Sequence, residues 1–111
     1  MSWVPEVKVE KKFTGVRESN FPEGGIRIRI QIVNDMRHGK ATSYYKNGQI
    51  NTEMYYVNDR KDGPFRWYHP NGKLYQEGEY RDNKLDGELK EYDLDGNLSQ
   101  VKYYSRGYQI R

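Results

Sequence analysis

The stretch DGPFRWYHPNGKLYQEGEY, residues 62–80, sets Gly63 and Gly72 nine positions apart with aromatic residues on both sides. Asn71-Gly72 alone reads as a hairpin turn. The earlier glycine and the spaced tyrosines need another reason, which comes from laying the chain against itself. Steps of 24 from Gly63 reach Gly15, Gly39 and Gly87, and the same steps from Gly72 reach Gly24, Gly48 and Gly96. Two positions beyond each of the latter stand Ile26, Ile50, Leu74 and Leu98. A later column holds Ile32, Tyr56, Tyr80 and Tyr104, and an earlier one Tyr44, Tyr68 and Tyr92. Self-similarity at a fixed period marks a repeat architecture. Units over 39–62, 63–86 and 87–110 are clear. Residues 15–38 are a degenerate copy with Asn20 at the tyrosine column, and residues 1–14 lie outside the repeat.

Each unit reads as a β-hairpin. Asn47-Gly48, Asn71-Gly72 and Asp95-Gly96 predict type I′ turns, with positive φ at both central residues. After the turn the pattern alternates, which sends Ile26, Ile28, Ile30 and Ile32 to one face and Arg27, Arg29 and Gln31 to the other. By the same alternation Tyr55, Tyr75 and Tyr103 fall on the face opposite the Leu74–Tyr80 series. Phe65 and Tyr68 sit on opposite faces unless a bulge intervenes, so the register of that strand stays open. Asp35, Asp59, Asn83 and Gly107 share a column where the chain must reverse into the next unit, and these residue types suit positive φ. Gly25 stands outside the columns, and a side chain there is expected to cost less than one at Gly72. The segment EVKVEKKF, residues 6–13, alternates well enough for a further or capping strand.

These columns resemble the MORN-repeat family in its bacterial variant form, with a Tyr-x-x-Asn-Gly-x-Leu core. Gly63, Trp67, Tyr68, Asn71, Gly72, Leu74, Glu77, Tyr80, Asp86 and Gly87 carry the resemblance, which spans about residues 15–110. Asp59 and Asn83 depart from it, since the variant usually has Gly there. The resemblance implies an all-β protein, a ladder of antiparallel hairpins forming one elongated single sheet. Proteins of this form include YwqK-type antitoxins, which implies a non-enzymatic interaction module, neutralising or scaffolding a protein partner. Gly39, Tyr44, Gly48, Tyr56, Gly63, Tyr68, Gly72, Leu74, Tyr80, Gly87, Tyr92, Gly96 and Tyr104 are then structural repeat positions.

Composition bounds the alternatives. Only 34% of the 111 residues are apolar, too few for a deep two-layer core, but eleven are Tyr, enough for a surface built on ring packing. Without Cys there is no disulfide or thiolate metal site. No secretory h-region or bilayer-length apolar run is read, which gives an expectation of a cytoplasmic protein. His38 and His69 lie beside turns and have no spaced nucleophile, so no catalytic residue is assigned. The run DLDGN, residues 93–97, invites a calcium reading, but an EF-hand register from Asp93 puts Leu98 at the glycine position. No metal and no cofactor is expected.

The net charge of +3 is small, with 19 basic residues against 16 acidic ones. Lys8, Lys11, Lys12, Arg17, Arg27 and Arg29 nevertheless make the first thirty residues basic. Nucleic acid or anionic lipid is therefore the alternative partner class, less favoured than protein. Tyr, Trp and Arg anchor protein interfaces most often. Trp67, Tyr55, Tyr75, Tyr103, Arg27, Arg29 and Arg66 are the candidate interaction residues. The C-terminal run SQVKYYSRGYQIR, residues 99–111, reads as an under-protected edge strand through which a homodimer could pair.

Overall fold

The computed structural model describes residues 11–111. Among them lies one open antiparallel sheet. Its strands are β1 (Gly15–Asn20), β2 (Ile26–Val33), β3 (Met36–Tyr44), β4 (Ile50–Val57), β5 (Arg60–Lys61) and β6 (Gly63–Tyr68). β7 (Leu74–Arg81), β8 (Lys84–Leu85), β9 (Gly87–Tyr92), β10 (Leu98–Ser105) and β11 (Tyr108–Gln109) complete it. The order is β1-β2-β3-β4-β6-β7-β9-β10-β11, with β5 on β4 and β8 on β7. A shortest dimension of 16 Å leaves room for a single layer, because stacked sheets stand about 10 Å apart before their outer side chains are added. The expected N-terminal strand lies mostly outside the described residues, and Lys11–Thr14 are not in a strand.

The two kinds of turn are the reverse of what the Asn-Gly pairs suggest. Positive φ at both central residues occurs at Asn34-Asp35, Asn58-Asp59, Asp82-Asn83 and Arg106-Gly107. These are the two-residue loops that need it. In the Asn47-Gly48 turn only the glycine is positive, at 86°. There the Tyr45 N–H donates to the Gln49 carbonyl at 2.8 Å and the Gly48 N–H to the Tyr45 carbonyl at 3.0 Å. A three-residue loop of this kind needs the left-handed region only at its last position. In the first unit both Gly24 and Gly25 are positive, at 107° and 86°. Gly25 is therefore as constrained as Gly72, contrary to the expectation from its column.

A second correction concerns the faces. Trp67 lies opposite Gln76, but the next pair is Tyr68 with Leu74, so Tyr75 is an extra residue in a bulge. Arg27, Asn51 and Ser99 are its counterparts in the other units. One extra residue reverses the side on which the preceding residues point. Leu74 therefore shares a face with Tyr68, while Gln76, Gly78 and Tyr80 share the other with Trp67 and Phe65. Ile26, opposite Asn20, is separated in the same way from Ile28, Ile30 and Ile32.

The Phe65 face carries the core. Ile32, Ala41, Phe65 and Leu89 are its buried apolar residues, and the last three stand one repeat apart. Their cross-strand partners compensate in volume. Small Ala41 lies opposite Met54, and large Phe65 opposite Gly78. A Cβ on Gly78 would come within 2.9 Å of the Phe65 ring and 3.2 Å of Leu89. Tyr80 packs on Phe65 with centroids 4.9 Å apart, and the Lys61 ammonium lies 5.0 Å from the Tyr80 ring centroid. Arg37 covers Tyr56 in the same way at 4.5 Å. Burial is the main reason the Tyr80 phenol is pushed up from its ordinary pKa.

Both long margins are pinned turn to turn. On one, the Asp59 N–H donates to the Arg37 carbonyl at 2.9 Å and the Arg37 N–H returns to Asp59 Oδ1 at 2.8 Å. Asp35 makes the same exchange with Phe13, and Asn83 with Lys61. Gly107 keeps the backbone half, at 2.8 Å to the Leu85 carbonyl, but has no side chain for the other. On the opposite margin Asn47 Nδ2 donates to the Pro70 carbonyl and Asn71 Nδ2 to that of Leu94. The Tyr45 hydroxyl donates to the Tyr68 carbonyl at 2.6 Å, and His69 Nε2 lies 3.1 Å from that of Tyr92.

Candidate interaction surface

The expected interaction residues divide between the two faces. Trp67 and Tyr75 lie on the Phe65 face, with ring centroids 5.0 Å apart in an edge-on contact, and His69 is 4.6 Å from Tyr75. Tyr75 thus stands on the side opposite to the one its alternation suggests, because it is the bulged residue. Tyr55, Arg66 and Tyr103 lie on the Tyr68 face, since Tyr55 pairs with Lys40, Arg66 with Glu77 and Tyr103 with Glu88. Arg29 is on that side too, with Nε 2.9 Å from Glu18 Oε1. Arg27 is exposed at its bulge.

On the Tyr68 face the strand registers align residues in rows across the sheet. One row carries the acid–base ladder. The Tyr68 hydroxyl donates to Glu53 at 2.9 Å, and the Tyr92 hydroxyl repeats the contact with Glu77 at 2.8 Å. Lys40 Nζ lies 2.9 Å from Glu53 and is the main reason its carboxyl sits below the usual range. Tyr68 and Tyr92 therefore each tie their own unit to the one before it. In the first unit Arg29 takes the place of that Glu.

The next row comprises Val16 with Gln31, Lys40 with Tyr55, Pro64 with Glu79, and Glu88 with Tyr103. Beyond it lie Val33, Met36 and Val57. Val16, Val33, Met36, Tyr55 and Val57 are all exposed, up to 51% for Val16. Sequence reasoning picked only Tyr55 from this group, because Val and Met in a strand are the ordinary signal of a core. In a single layer half of such positions stay in water.

This row also crosses the places where the ladder opens. Between the pairs Glu53–Arg66 and Tyr56–Lys61, β4 has two residues where the facing strand has four. The same excess recurs between β7 and β9, and between β2 and β3. Gly39, Gly63 and Gly87 sit in these gaps at φ of 107°, 115° and 100°. In the first gap the Gln31 carboxamide fills the space and accepts the Lys40 N–H at 3.1 Å. Open grooves remain at the other two. One of about 200 Å³ is lined by Glu53, Tyr55, Pro64 and Arg66. The other, of about 390 Å³, is lined by Pro64, Arg66, Glu77, Glu79, Glu88 and Lys90.

Among the described residues, the side chains singled out for chemistry in the sequence serve turns. His38 Nδ1 accepts the Asn58 N–H at 3.3 Å, and Asp93 Oδ1 accepts the N–H groups of Asp95 and Asn97. Both side chains stabilise turns. Among the described residues no group of acids and histidines is placed to hold a metal ion.

The profile of the MORN repeat variant matches residues 37–58, 61–82 and 85–106, more than half of the chain. No curated protein and no solved structure matches significantly. The first hairpin, β1 with β2, lies outside the matched segments yet repeats their turn and bulge.

Proposed function

This chain belongs to the MORN repeat variant family, and from that premise we propose that it is a non-enzymatic module that binds another protein. The observation that carries the reading is the exposed apolar group Val16, Val33, Met36, Tyr55 and Val57 on one face of a one-layer sheet. Val33 pairs with Met36, Tyr55 and Val57 share one face of β4, and exposed apolar residues grouped in this way mark interaction sites in soluble proteins. The family match is to a repeat module rather than to a catalytic domain. Neutralisation of a cognate protein, in the manner of an antitoxin, and scaffolding are the two forms this binding takes.

The test is photo-crosslinking in the native host, with a benzophenone amino acid placed at Val57 and, separately, at Trp67. Capture of one defined protein from the Val57 position, in stoichiometric yield, is the expected result. Recovery of RNA or lipid alone from both positions would replace this reading with the electrostatic one. Toxicity of the captured protein, relieved by co-expression, would distinguish a neutraliser from a scaffold.

A further inference from the structure

Resting on that reading, we propose that the groove across the Tyr68 face is the docking site, and that it takes an extended segment with apolar side chains followed by basic ones. The two open gaps form one track, because Pro64, Phe65 and Arg66 line both. At one end stands Tyr55, exposed by 39%, and Val57, exposed by 41%, follows it two residues along the same face of β4, outside the groove itself. At the other, Glu77, Glu79 and Glu88 line the groove with Arg66 and Lys90 as its basic lining, while Asp86 is paired with Arg81 at 3.9 Å. Two of these acids are weakly compensated. Glu88 has Lys90 at 4.0 Å, and Arg66 stands 3.7 Å from Glu77. Residues 77–97 hold eight acids against three bases, whereas residues 11–40 hold seven bases against three acids.

The occupant follows from that polarity. Apolar side chains would cover Tyr55 and Val57, and guanidinium or ammonium groups would neutralise Glu79 and Glu88. From β4 to β9 there are three strand spacings, about 14 Å at roughly 4.8 Å each. An extended chain covers that distance in about four residues. The apolar and basic groups of the ligand are therefore spaced by about that number. In the first gap the Gln31 side chain already fills the space, so the site is confined to the second and third gaps.

The probe is a fluorescein-labelled peptide, Leu-Val-Leu-Ser-Gly-Arg-Lys-Arg, with Leu-Val-Leu-Ser-Gly-Glu-Asp-Glu as its acidic counterpart. Fluorescence polarisation gives affinity, and amide chemical shifts of the full chain give the place. The basic peptide is expected to bind and to shift the amides of Tyr55, Val57, Glu79 and Glu88. Glu79→Lys with Glu88→Lys should weaken it at least about tenfold and transfer preference to the acidic peptide. This exchange requires a folded protein, so misfolding cannot imitate it. Val57→Ser should weaken both peptides.

Absence of binding at about 1 mM peptide, shifts confined to the Trp67 side, or unchanged preference in the charge-reversed variant would overturn the proposal. So would a dimer dissolved by Val33→Ser and Val57→Ser, since a second copy would then cover the face. A protein crosslinked at Trp67 but not at Val57 would leave the binding module standing and remove only the groove.

Discussion

Phe65 and Gly78 illustrate what a residue can and cannot announce. The column Ala41, Phe65, Leu89 is the core, yet its members differ too much in size to stand out as a repeat. The balance appears only across the strand, where Met54 faces Ala41 and Gly78 faces Phe65. Phe65→Ala should cost about 3 kcal/mol in chemical denaturation, as for other buried rings. Adding Gly78→Met imitates the Ala41–Met54 pair, but its Cβ would still meet the Glu88 carbonyl oxygen and Leu89 at 3.2 Å, so less than half of that loss should be recovered. Full recovery would mean that the neighbouring strand gives way freely. Turn glycines follow a different constraint. Gly72→Val and Gly25→Val should each destabilise by about 1–3 kcal/mol, because φ is 89° and 86° at these positions. Gln49→Val, one position past the glycine of its own turn, should change the melting temperature little.

At the scale of the strand and turn, the period was legible because glycine and tyrosine recur where conformation and packing allow few substitutes. The bulges were not. Arg27, Asn51, Tyr75 and Ser99 share no chemistry, and an inserted residue leaves a period-two pattern looking intact on either side. That is why alternation alone puts Tyr75 on the wrong side and groups Leu74 with Tyr80. The candidate site suffered from the same blindness, since its row of exposed residues is defined by register rather than by type. The Asp35, Asp59 and Asn83 column demands positive φ, and its side chains also accept the N–H of a residue 22 positions earlier. Asn83→Ala should therefore cost about 1 kcal/mol beyond any backbone effect. Gly107→Asn should raise the melting temperature by supplying the acceptor that the last turn lacks. A Cβ there meets Lys84 at an ordinary 3.6 Å. A fall in melting temperature would show that this margin is held by the backbone alone.

For the whole molecule, the titrating groups set a window of stability. Glu53 is held below the usual carboxylate range chiefly by Lys40, and Glu91 chiefly by the Gln100 amide. Their charged forms are favoured in the fold, so this contribution is complete above the ordinary carboxyl pKa and is lost as pH falls through the lowered one. Tyr68 and Tyr80 are raised mainly by burial, and Tyr92 mainly by its bond to Glu77. Neutral phenol is favoured there, so that contribution is complete below about pH 10 and is lost as pH climbs through the raised values. Melting temperature against pH should show a plateau from about 5 to 9 with a decline on each side. A single slope across that range would contradict the assignment.

The seams of turn contacts along both margins tie each unit only to its neighbours, and the strands lie across the long direction of the sheet. A pull applied between the first and last strands would therefore load the ladder as a zipper, one hydrogen-bonded row at a time, rather than shearing all rows together. Extension should then advance in increments of one unit. At about 3.3–3.6 Å per residue, 24 residues release roughly 80 Å of chain per step. The steps should come at low force and in order from an end, so that under tension the molecule pays out length like a ratchet instead of yielding as a block.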